Sequence, residues 1–193
     1  MNNTELRLHL RTQRLLLPEA MQHAASHQVC HFALQLNRYR LSEHIAFYLK
    51  HEAEIDPLSI LEAAFAAGKK CYLPVLHPRK IGELCFMPYA PLDPLIPNRY
   101  GILEPKYHAD LVLPVWHLDL VFAPLVAFDH DKNRLGMGKG YYDRTFSFVK
   151  HDENAHKPYL VGLAYEFQKV VKLNAMAHDV RMHEVITEQG LVI

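Results

Sequence analysis

Residues 118–144, LDLVFAPLVAFDHDKNRLGMGKGYYDR, contain the pattern that decides the fold. An apolar run from Leu118 to Phe128, interrupted by Pro124, has the composition of a buried strand, and we predict one strand with a bend near its end. A polar turn, a glycine cluster and the start of an amphipathic helix follow. A buried strand that leads through a glycine loop into a helix is typical of α/β proteins, in which ligands bind beyond the carboxyl ends of the strands.

The rest of the chain repeats this alternation. Helices are predicted over 4–17 with Thr4 as N-cap, over 18–36, over 56–67 and over 168–177. Strands are predicted over 45–49, 69–76, 159–165 and, as the last strand, 184–186, whereas the proline-rich stretch 77–118 is predicted to be mostly loop with a short extended piece at 84–87. We therefore predict an α/β three-layer sandwich over 1–193, a single domain with a mostly parallel central sheet flanked by helices. This class includes Rossmann-like folds and those of sugar-phosphate isomerases and CoA-transferases.

The composition excludes several classes of protein. Acidic and basic residues balance at 21 each, so no general affinity for nucleic acid or for anionic membranes is expected. No apolar run approaches the roughly 20 residues of a membrane span, and no signal peptide is expected. Three widely spaced cysteines without a CxxC pair predict reduced thiols in a cytoplasmic protein. His23, His27 and His31 share a helix face, which we interpret as a polar surface because no carboxylate or cysteine joins them at ligand spacing.

The glycine loop is the densest functional pattern. Gly136, Gly138 and Gly140 alternate, so the backbone is free to adopt positive φ and to bring its N–H groups close to an anion. The loop matches neither GxxxxGK[ST] nor GxGxxG. A glycine-rich turn with incidental charge is the alternative, but it does not explain the charged and aromatic residues crowded around the loop: Arg134, Lys139, Tyr141, Tyr142, Asp143 and Arg144.

The segment RLGMGKGYYDR, residues 134–144, resembles the nucleotide loop of the 5-formyltetrahydrofolate cyclo-ligases, and PLVAFD before it resembles their lead-in strand. The similarity continues along the chain through LRLHLR, EIDPLSILEAAFAAGKKCYLPVL, NRYGILEP, GLAYEFQ and HDVRMHEVITEQG. It implies ATP- and Mg²⁺-dependent closure of 5-formyltetrahydrofolate to 5,10-methenyltetrahydrofolate, with release of ADP and phosphate. The formyl oxygen would be phosphorylated and N10 would then attack the activated carbon. This is phosphoryl transfer, in which a protein mostly positions groups and neutralises charge.

The resemblance also implies roles for individual residues. ATP would be bound by Arg7, Arg11, Arg134, Leu135, Gly136, Met137, Gly138, Lys139, Gly140, Tyr141 and Tyr142. Catalysis would involve Arg134, Lys139 and Tyr141, the folate would contact Leu49, Glu54, Tyr100 and Tyr141, and Mg²⁺ would be held by Asp143 and Asp179. Asn3 stands where the family commonly has a second basic residue. Tyr165 and Gln168 match family positions without an assigned role.

Other interpretations stay open at this point. From the residues alone, Arg7, Arg11 and Arg14 also fit a solvated helix face, Glu54 a surface acid, and Tyr100 an aromatic that caps a loop. A non-catalytic folate- or nucleotide-binding protein is the alternative function, and an ATP-independent sugar-phosphate isomerase or acyl-CoA enzyme on a similar scaffold is a third. The expected partners are small molecules, ATP and a reduced folate, with no nucleic acid and no membrane, and the expected state is a monomer.

Overall fold

The computed structural model describes residues 2–150 and 158–192. The helices in chain order are α1 (Asn3–Leu15), α2 (Glu19–Gln35), α3 (Asn37–Leu41), α4 (Leu58–Ala66) and α5 (Tyr141–Thr145). The strands are β1 (His44–Ala46), β2 (Lys70–Leu76), β3 (Leu84–Pro88), β4 (Leu95–Pro97), β5 (Leu103–Pro105), β6 (Leu120–Pro124), β7 (Ala127–Phe128), β8 (Arg134–Leu135), β9 (Tyr159–Leu163), β10 (Glu184–Thr187) and β11 (Gly190–Leu191). Short 3₁₀ turns cover Ala109–Leu111, Val115–His117, Ser147–Lys150 and Glu166–Gln168.

Seven strands form one sheet in the order β11-β10-β9-β6-β1-β2-β3. The pairs β10–β9, β9–β6, β6–β1 and β1–β2 are parallel, and only the outer strands β11 and β3 pair antiparallel. From β1 the chain moves outward to β2 and β3, and from β6 it moves outward on the other side. The strand order therefore reverses between β1 and β6, which is where open α/β sheets hold their ligands.

Both faces of the sheet are buried, which confirms the predicted three-layer class. Along β6, Leu120 and Phe122 belong to one apolar cluster, whereas Val121 and Ala123 belong to the other. The first cluster includes buried residues of α2 and α4, and the second includes Phe146, which follows α5. Parallel strands covered on both faces are continuous apolar runs, and this is why β6 and β9 are recognisable in the sequence.

Two predicted boundaries of elements were wrong. The N-cap of α1 is Asn2, not Thr4: its side chain accepts from the N–H groups of Thr4 and Glu5, and the Glu5 carboxylate accepts from its backbone N–H. This reciprocal capping box satisfies N–H groups that the helix itself leaves without partners. The first strand ends at Ala46 rather than at residue 49, so that the chain turns into the cavity described below.

The predicted single strand over 118–128 was also wrong. The sheet strand ends at Pro124, and Ala127–Phe128 pairs instead with Arg134–Leu135 in a separate two-stranded hairpin. The Val126 N–H donates to the Leu135 carbonyl at 2.7 Å, which directs the chain away from the main sheet.

The helix predicted over 168–177 does not form. A 3₁₀ turn at Glu166–Gln168 is followed by irregular chain. Gln168 Nε2 donates to the carbonyls of Leu125 and Val126 at 2.9 and 2.8 Å, and the Val170 N–H donates to the Phe128 carbonyl at 2.8 Å. These long-range partners replace the bonds that a helix would have made. The strand at 184–186 exists, but β11 follows it.

The proline-rich stretch 77–118 holds β3, the β4–β5 hairpin and two of the 3₁₀ turns. In the described part of the chain, no helix is long and apolar enough to cross a membrane. His23, His27 and His31 are exposed on α2, as the polar-surface interpretation expects.

Candidate active site

A cavity of about 560 Å³ opens at the carboxyl ends of β1 and β6, where the strand order reverses. The segment after β1 contributes Tyr48, Leu49, His51 and Glu54 to its wall, and the segment after β6 contributes Leu125 and Val126. Every residue that the sequence assigned to a site lines this one cavity: Arg7, Arg11, Leu49, Glu54, Tyr100, Arg134, Leu135, Gly136, Met137, Gly138, Lys139, Gly140, Tyr141, Tyr142, Asp143 and Asp179. The fold thus brings together residues from five separate stretches of sequence.

The glycine loop has the backbone that its sequence predicts. Gly138 and Gly140 have φ of 89° and 65°, values at which a side chain would be strained. Arg7, from α1, binds the glycine loop, since its Nε donates to the Gly136 carbonyl at 2.8 Å. A Cβ at Gly138 would lie 3.5 Å from the Arg7 guanidinium carbon, so the loop and the arginine are in close contact.

Arg134 and Asp143 form an ion pair beneath the loop. Arg134 Nη2 donates to Asp143 Oδ1 at 2.9 Å, and the same oxygen accepts from the Val180 N–H at 3.1 Å. The guanidinium also lies over the Tyr142 ring, 5.3 Å from its centroid. Arg134 Nε is buried and has no hydrogen-bond partner among the described residues. Burial raises the pKa of the Tyr142 phenol, while Arg134 opposes that rise.

Asp179 lines the same cavity from the loop before β10. Its Oδ2 accepts from the Met176 N–H at 2.7 Å, and His178 Nε2 lies 3.6 Å from its Oδ1. Within residues 2–150 and 158–192, no three His, Cys, Asp or Glu side chains gather in a way that could hold a metal unaided. Asp143 and Asp179 both line the cavity, and Asp143 accepts from the N–H of Val180, the residue after Asp179.

Two tyrosines, Tyr100 and Tyr141, line one side of the cavity and contact each other. Arg99 Nη2 donates to Tyr141 Oη at 2.5 Å, and the Tyr100 hydroxyl lies 3.0 Å from the same oxygen. Lys139 Nζ lies 5.9 Å from the centroid of the Tyr100 ring. Because Arg99 and Tyr100 belong to the loop between β4 and β5, these contacts join the hairpin to the glycine loop.

Comparison with known proteins identifies the family. The model of the 5-formyltetrahydrofolate cyclo-ligase family matches residues 1–188. The chain belongs to this family. A 5-formyltetrahydrofolate cyclo-ligase of Haemophilus influenzae is 39% identical over 189 residues, covering 95% of this chain and 98% of the relative.

More distant relatives extend the similarity. A mouse 5-formyltetrahydrofolate cyclo-ligase is 30% identical over 165 residues, covering 80% of this chain and 77% of its own. The structure of a 5,10-methenyltetrahydrofolate synthetase of Aquifex aeolicus superimposes with a TM-score of 0.80 at 28% identity, and the match covers 99% of this chain and 92% of that one. The predicted family and α/β fold are both confirmed.

Glu54 is a buried acid in the wall of the cavity. Only 6% of its surface is exposed, and its Oε2 accepts from the His51 N–H at 3.2 Å. Burial raises the pKa of its carboxyl to about 7, although nearby Arg14 opposes the rise. The interpretation of Glu54 as a surface acid was therefore wrong. Tyr100 is 42% exposed and takes part in the contacts with Tyr141, so it does more than cap a loop.

The arginines of α1 are not a solvated helix face in the cyclo-ligase. Arg7 and Arg11 are partly buried and Arg14 is 1% exposed. Arg11 makes a bidentate pair with the Glu52 carboxylate, Nε to Oε2 at 2.9 Å and Nη2 to Oε1 at 2.7 Å. Arg11 lines the cavity while that pair occupies its Nε and one Nη2 N–H, which the sequence did not predict.

Sequence reasoning missed several residues that support the site. Arg14 is one, and it lies outside the segments that resemble the family; Arg99 is another, and it lies within NRYGILEP but received no role. Arg144 is a third: its Nε donates to the Gly82 carbonyl at 2.8 Å and its Nη2 to the Lys139 carbonyl, which ties the glycine loop to the turn before β3. Because Arg144 lies within RLGMGKGYYDR, the sequence indicated that it is close to the glycine loop, but not that it binds the Gly82 carbonyl.

Tyr165 and Gln168 lie outside the cavity wall and support segments that line the cavity. The Tyr165 hydroxyl donates to the Ala53 carbonyl at 3.1 Å, and Gln168 bonds the chain directly after β6. Gln168 is 1% exposed, and its side-chain oxygen accepts from the Tyr165 N–H at 2.8 Å. Both residues hold loops that line the cavity.

Proposed function

We propose that this protein is an ATP- and Mg²⁺-dependent 5-formyltetrahydrofolate cyclo-ligase, which forms 5,10-methenyltetrahydrofolate with release of ADP and phosphate. One observation carries the proposal. A single cavity contains both a cationic glycine loop, suited to phosphate, and a buried carboxylate, suited to a pterin edge. Two substrates that react with each other have to meet in one cavity.

The nucleotide side is the glycine loop with its arginines. Backbone N–H groups of residues 136–140 would donate to phosphate oxygens, and Arg134 would neutralise phosphate charge. Its buried Nε, which has no partner among the described residues, is a donor ready for an acceptor. Arg7 and Lys139 would add positive charge at the rim, where a phosphoryl group that is being transferred needs it.

Asp143 and Asp179 are suited to the magnesium ion of a nucleotide. Both are carboxylates in the wall of the same cavity, and the two contacts made by Asp143 fall on one of its two oxygens. Hard oxygen donors in this number fit Mg²⁺, which retains waters and phosphate oxygens as its remaining ligands. When bound, the ion neutralises charge on the β- and γ-phosphates.

The folate side is formed by Leu49, Glu54, Tyr100 and Tyr141. The Glu54 carboxylate is able to accept two N–H groups side by side, the pattern on one edge of a pterin. Leu49 and Tyr100 supply apolar and aromatic surface for the flat ring. Tyr141 contacts Tyr100 and begins the helix that follows the glycine loop, so it lies between the two halves of the cavity.

The reaction proposed for this cavity has two steps. The formyl oxygen attacks the γ-phosphorus of ATP, and the bond between that phosphorus and the β–γ bridging oxygen breaks, releasing ADP. N10 then attacks the formyl carbon, its proton passes to the phosphate, and the carbon–oxygen bond breaks to release hydrogen phosphate. Lys139 and Arg134 would hold the γ-phosphoryl group in line, and Tyr141 would orient the formyl group.

Absorbance in the near ultraviolet tests the proposal, because the methenyl product absorbs there. The protein is mixed with 5-formyltetrahydrofolate, ATP and Mg²⁺, with controls that lack ATP or Mg²⁺. Product that forms only with both supports the cyclo-ligase. Folded protein that binds both substrates without turnover would favour a non-catalytic binding protein, and turnover without ATP would favour a different reaction class.

We also propose that the enzyme acts as a monomer in the cytoplasm, on small molecules alone. The balanced charge supports the absence of a nucleic-acid partner, and three buried free cysteines suit a reducing compartment. Light scattering after size exclusion tests the first point: a mass near 22.3 kDa is expected, and twice that value would contradict it.

A further inference from the structure

Arg14 is a buried guanidinium that belongs to neither proposed substrate subsite. It lies in the last turn of α1 with 1% of its surface exposed. Its Nε donates to the Glu52 carbonyl at 2.9 Å, and its Nη1 donates to the Leu125 carbonyl at 3.4 Å. Nη2 is buried without a hydrogen-bond partner among the described residues, and it lies 3.7 Å from Glu54 Oε1. Burying a charged donor without a hydrogen-bond partner costs free energy, and a functional role would account for its presence.

The loop that carries Glu54 is held in shape from outside. Glu52 and Ala53 both have positive φ, 46° and 57°, which is unfavourable for residues other than glycine. Arg14 bonds the Glu52 carbonyl, Arg11 pairs with its carboxylate, and the Tyr165 hydroxyl donates to the Ala53 carbonyl. These contacts therefore determine where the Glu54 carboxyl group lies.

We propose that Arg14 is a positioning residue that favours the ionised form of Glu54 and directs it into the cavity, so that folate affinity follows the charge state of Glu54. This rests on the proposed function, because it takes the reduced folate as the ligand of Glu54. The Leu125 carbonyl belongs to the segment after β6, so Arg14 also joins the loop that carries Glu54 to the part of the cavity wall formed by that segment.

The surroundings of Glu54 make its charge sensitive to Arg14. Burial has the largest effect and raises the pKa of the carboxyl to about 7, and Arg14 is the strongest of the opposing groups. The charged and titratable groups that face the carboxyl come from α1, from its own loop and from the neighbouring elements: Arg11, Arg14, Tyr48, His51, Glu52, Tyr142 and Tyr165. The three phenols have raised pKa values, so they stay neutral in the relevant range.

The sign of the pH effect follows from these groups. Below about pH 7 the carboxyl holds a proton and loses acceptors for the pterin N–H groups, so folate affinity falls. Loss of the Arg14 charge removes an opposite charge within 4 Å and raises the pKa of Glu54 further. A residue that merely packed α1 against the sheet would weaken binding by the same factor at every pH.

Calorimetric titration with 5-formyltetrahydrofolate, without ATP, from about pH 6 to about pH 9 separates these outcomes. The wild-type protein is expected to bind more tightly as the pH rises through about 7. Arg14→Gln is expected to move that midpoint upward by about one pH unit or more, and Arg14→Lys, which keeps the charge, to leave it near its original place. Glu54→Gln is expected to remove the transition, and the exposed Arg40→Gln is the control.

A parallel loss of affinity in Arg14→Gln with an unchanged midpoint would overturn the proposal, and so would a wild-type transition that survives Glu54→Gln. Should Arg14→Gln fail to fold, the KM values of Arg14→Lys in the absorbance assay test the proposal instead. Its KM for the folate is expected to rise about tenfold with little change in the KM for ATP, and an equal rise in both would count against positioning. Methenyl formation by the wild-type protein tests the proposed function separately, since it does not depend on where the midpoint lies.

Discussion

Arg134 and Asp143 bond to each other beneath the glycine loop, with Nη2 of the arginine 2.9 Å from Oδ1 of the aspartate. Their side chains are 4% and 17% exposed, so this is a largely buried pair. The two residues have different proposed ligands, phosphate for one and Mg²⁺ for the other. Each side chain therefore neutralises the charge of the other. Binding of ATP would give Arg134 a second partner of opposite charge, and binding of Mg²⁺ would do the same for Asp143.

Arg134→Ala is expected to raise the KM for ATP by about ten- to hundredfold, because charge-assisted hydrogen bonds are worth about 1.5–3 kcal/mol. The KM for the folate is expected to change much less, since Glu54 and Leu49 are untouched. Steady-state kinetics with each substrate varied in turn measures both values. Arg79→Ala, an exposed arginine outside the cavity wall, is the matched control. Equal increases in the two KM values would count against a phosphate role.

Asp143→Asn is expected to raise the Mg²⁺ concentration for half-maximal rate on the order of tenfold or more, because the amide lacks the carboxylate charge. The measurement is the initial rate as a function of free Mg²⁺ at saturating ATP and folate. Asp110→Asn, on an exposed 3₁₀ turn, controls for a general loss of acidic charge. Unchanged magnesium dependence in folded Asp143→Asn would contradict the assignment.

Glu54 makes the stability of the protein depend on pH. Its pKa is raised from 4.5 to about 7, so the folded chain holds a proton that the unfolded chain releases. The contribution of Glu54 to stability is therefore expected to be fully present below about pH 4.5 and to be lost as the pH rises to about 7, a change of about 3 kcal/mol. Urea denaturation across that range is the measurement. The decline is expected to be smaller in Glu54→Gln, and identical slopes for both proteins would refute it.

Tyr141→Phe is expected to loosen the β4–β5 hairpin, because the phenol oxygen accepts from Arg99 and contacts the Tyr100 hydroxyl. Amide hydrogen exchange at residues 98–102 is expected to accelerate by about two- to tenfold, as befits one or two net hydrogen bonds. Tyr107→Phe is the control, since its hydroxyl makes no hydrogen bond within the described part of the chain. Exchange at 98–102 that stays at the wild-type rate would show that the contact does not restrain the hairpin.

Prediction from sequence succeeded where the pattern was local. The apolar runs of β2 and β9 and the amphipathic start of α1 follow from the period of their own residues, and Gly138 has the positive φ that its loop sequence indicated. Prediction from sequence failed where residues far apart in the chain form hydrogen bonds with each other. Residues 168–177 have a helical pattern, yet Gln168 and Val170 bond to the segment after β6 instead.

The sequence by itself determined the alternation of the main strands and helices, the glycine loop and the family, because residue type and spacing are properties of short stretches of chain. Only the tertiary structure decided the partners: Arg134 with Asp143, Arg14 with Glu54, and Arg99 with Tyr141. The physical reason is that burial and charge pairing depend on which segments the sheet brings to one edge. Arg7, Arg11 and Arg14 are alike in sequence, and the fold alone directs them to a loop carbonyl, a carboxylate and a buried acid.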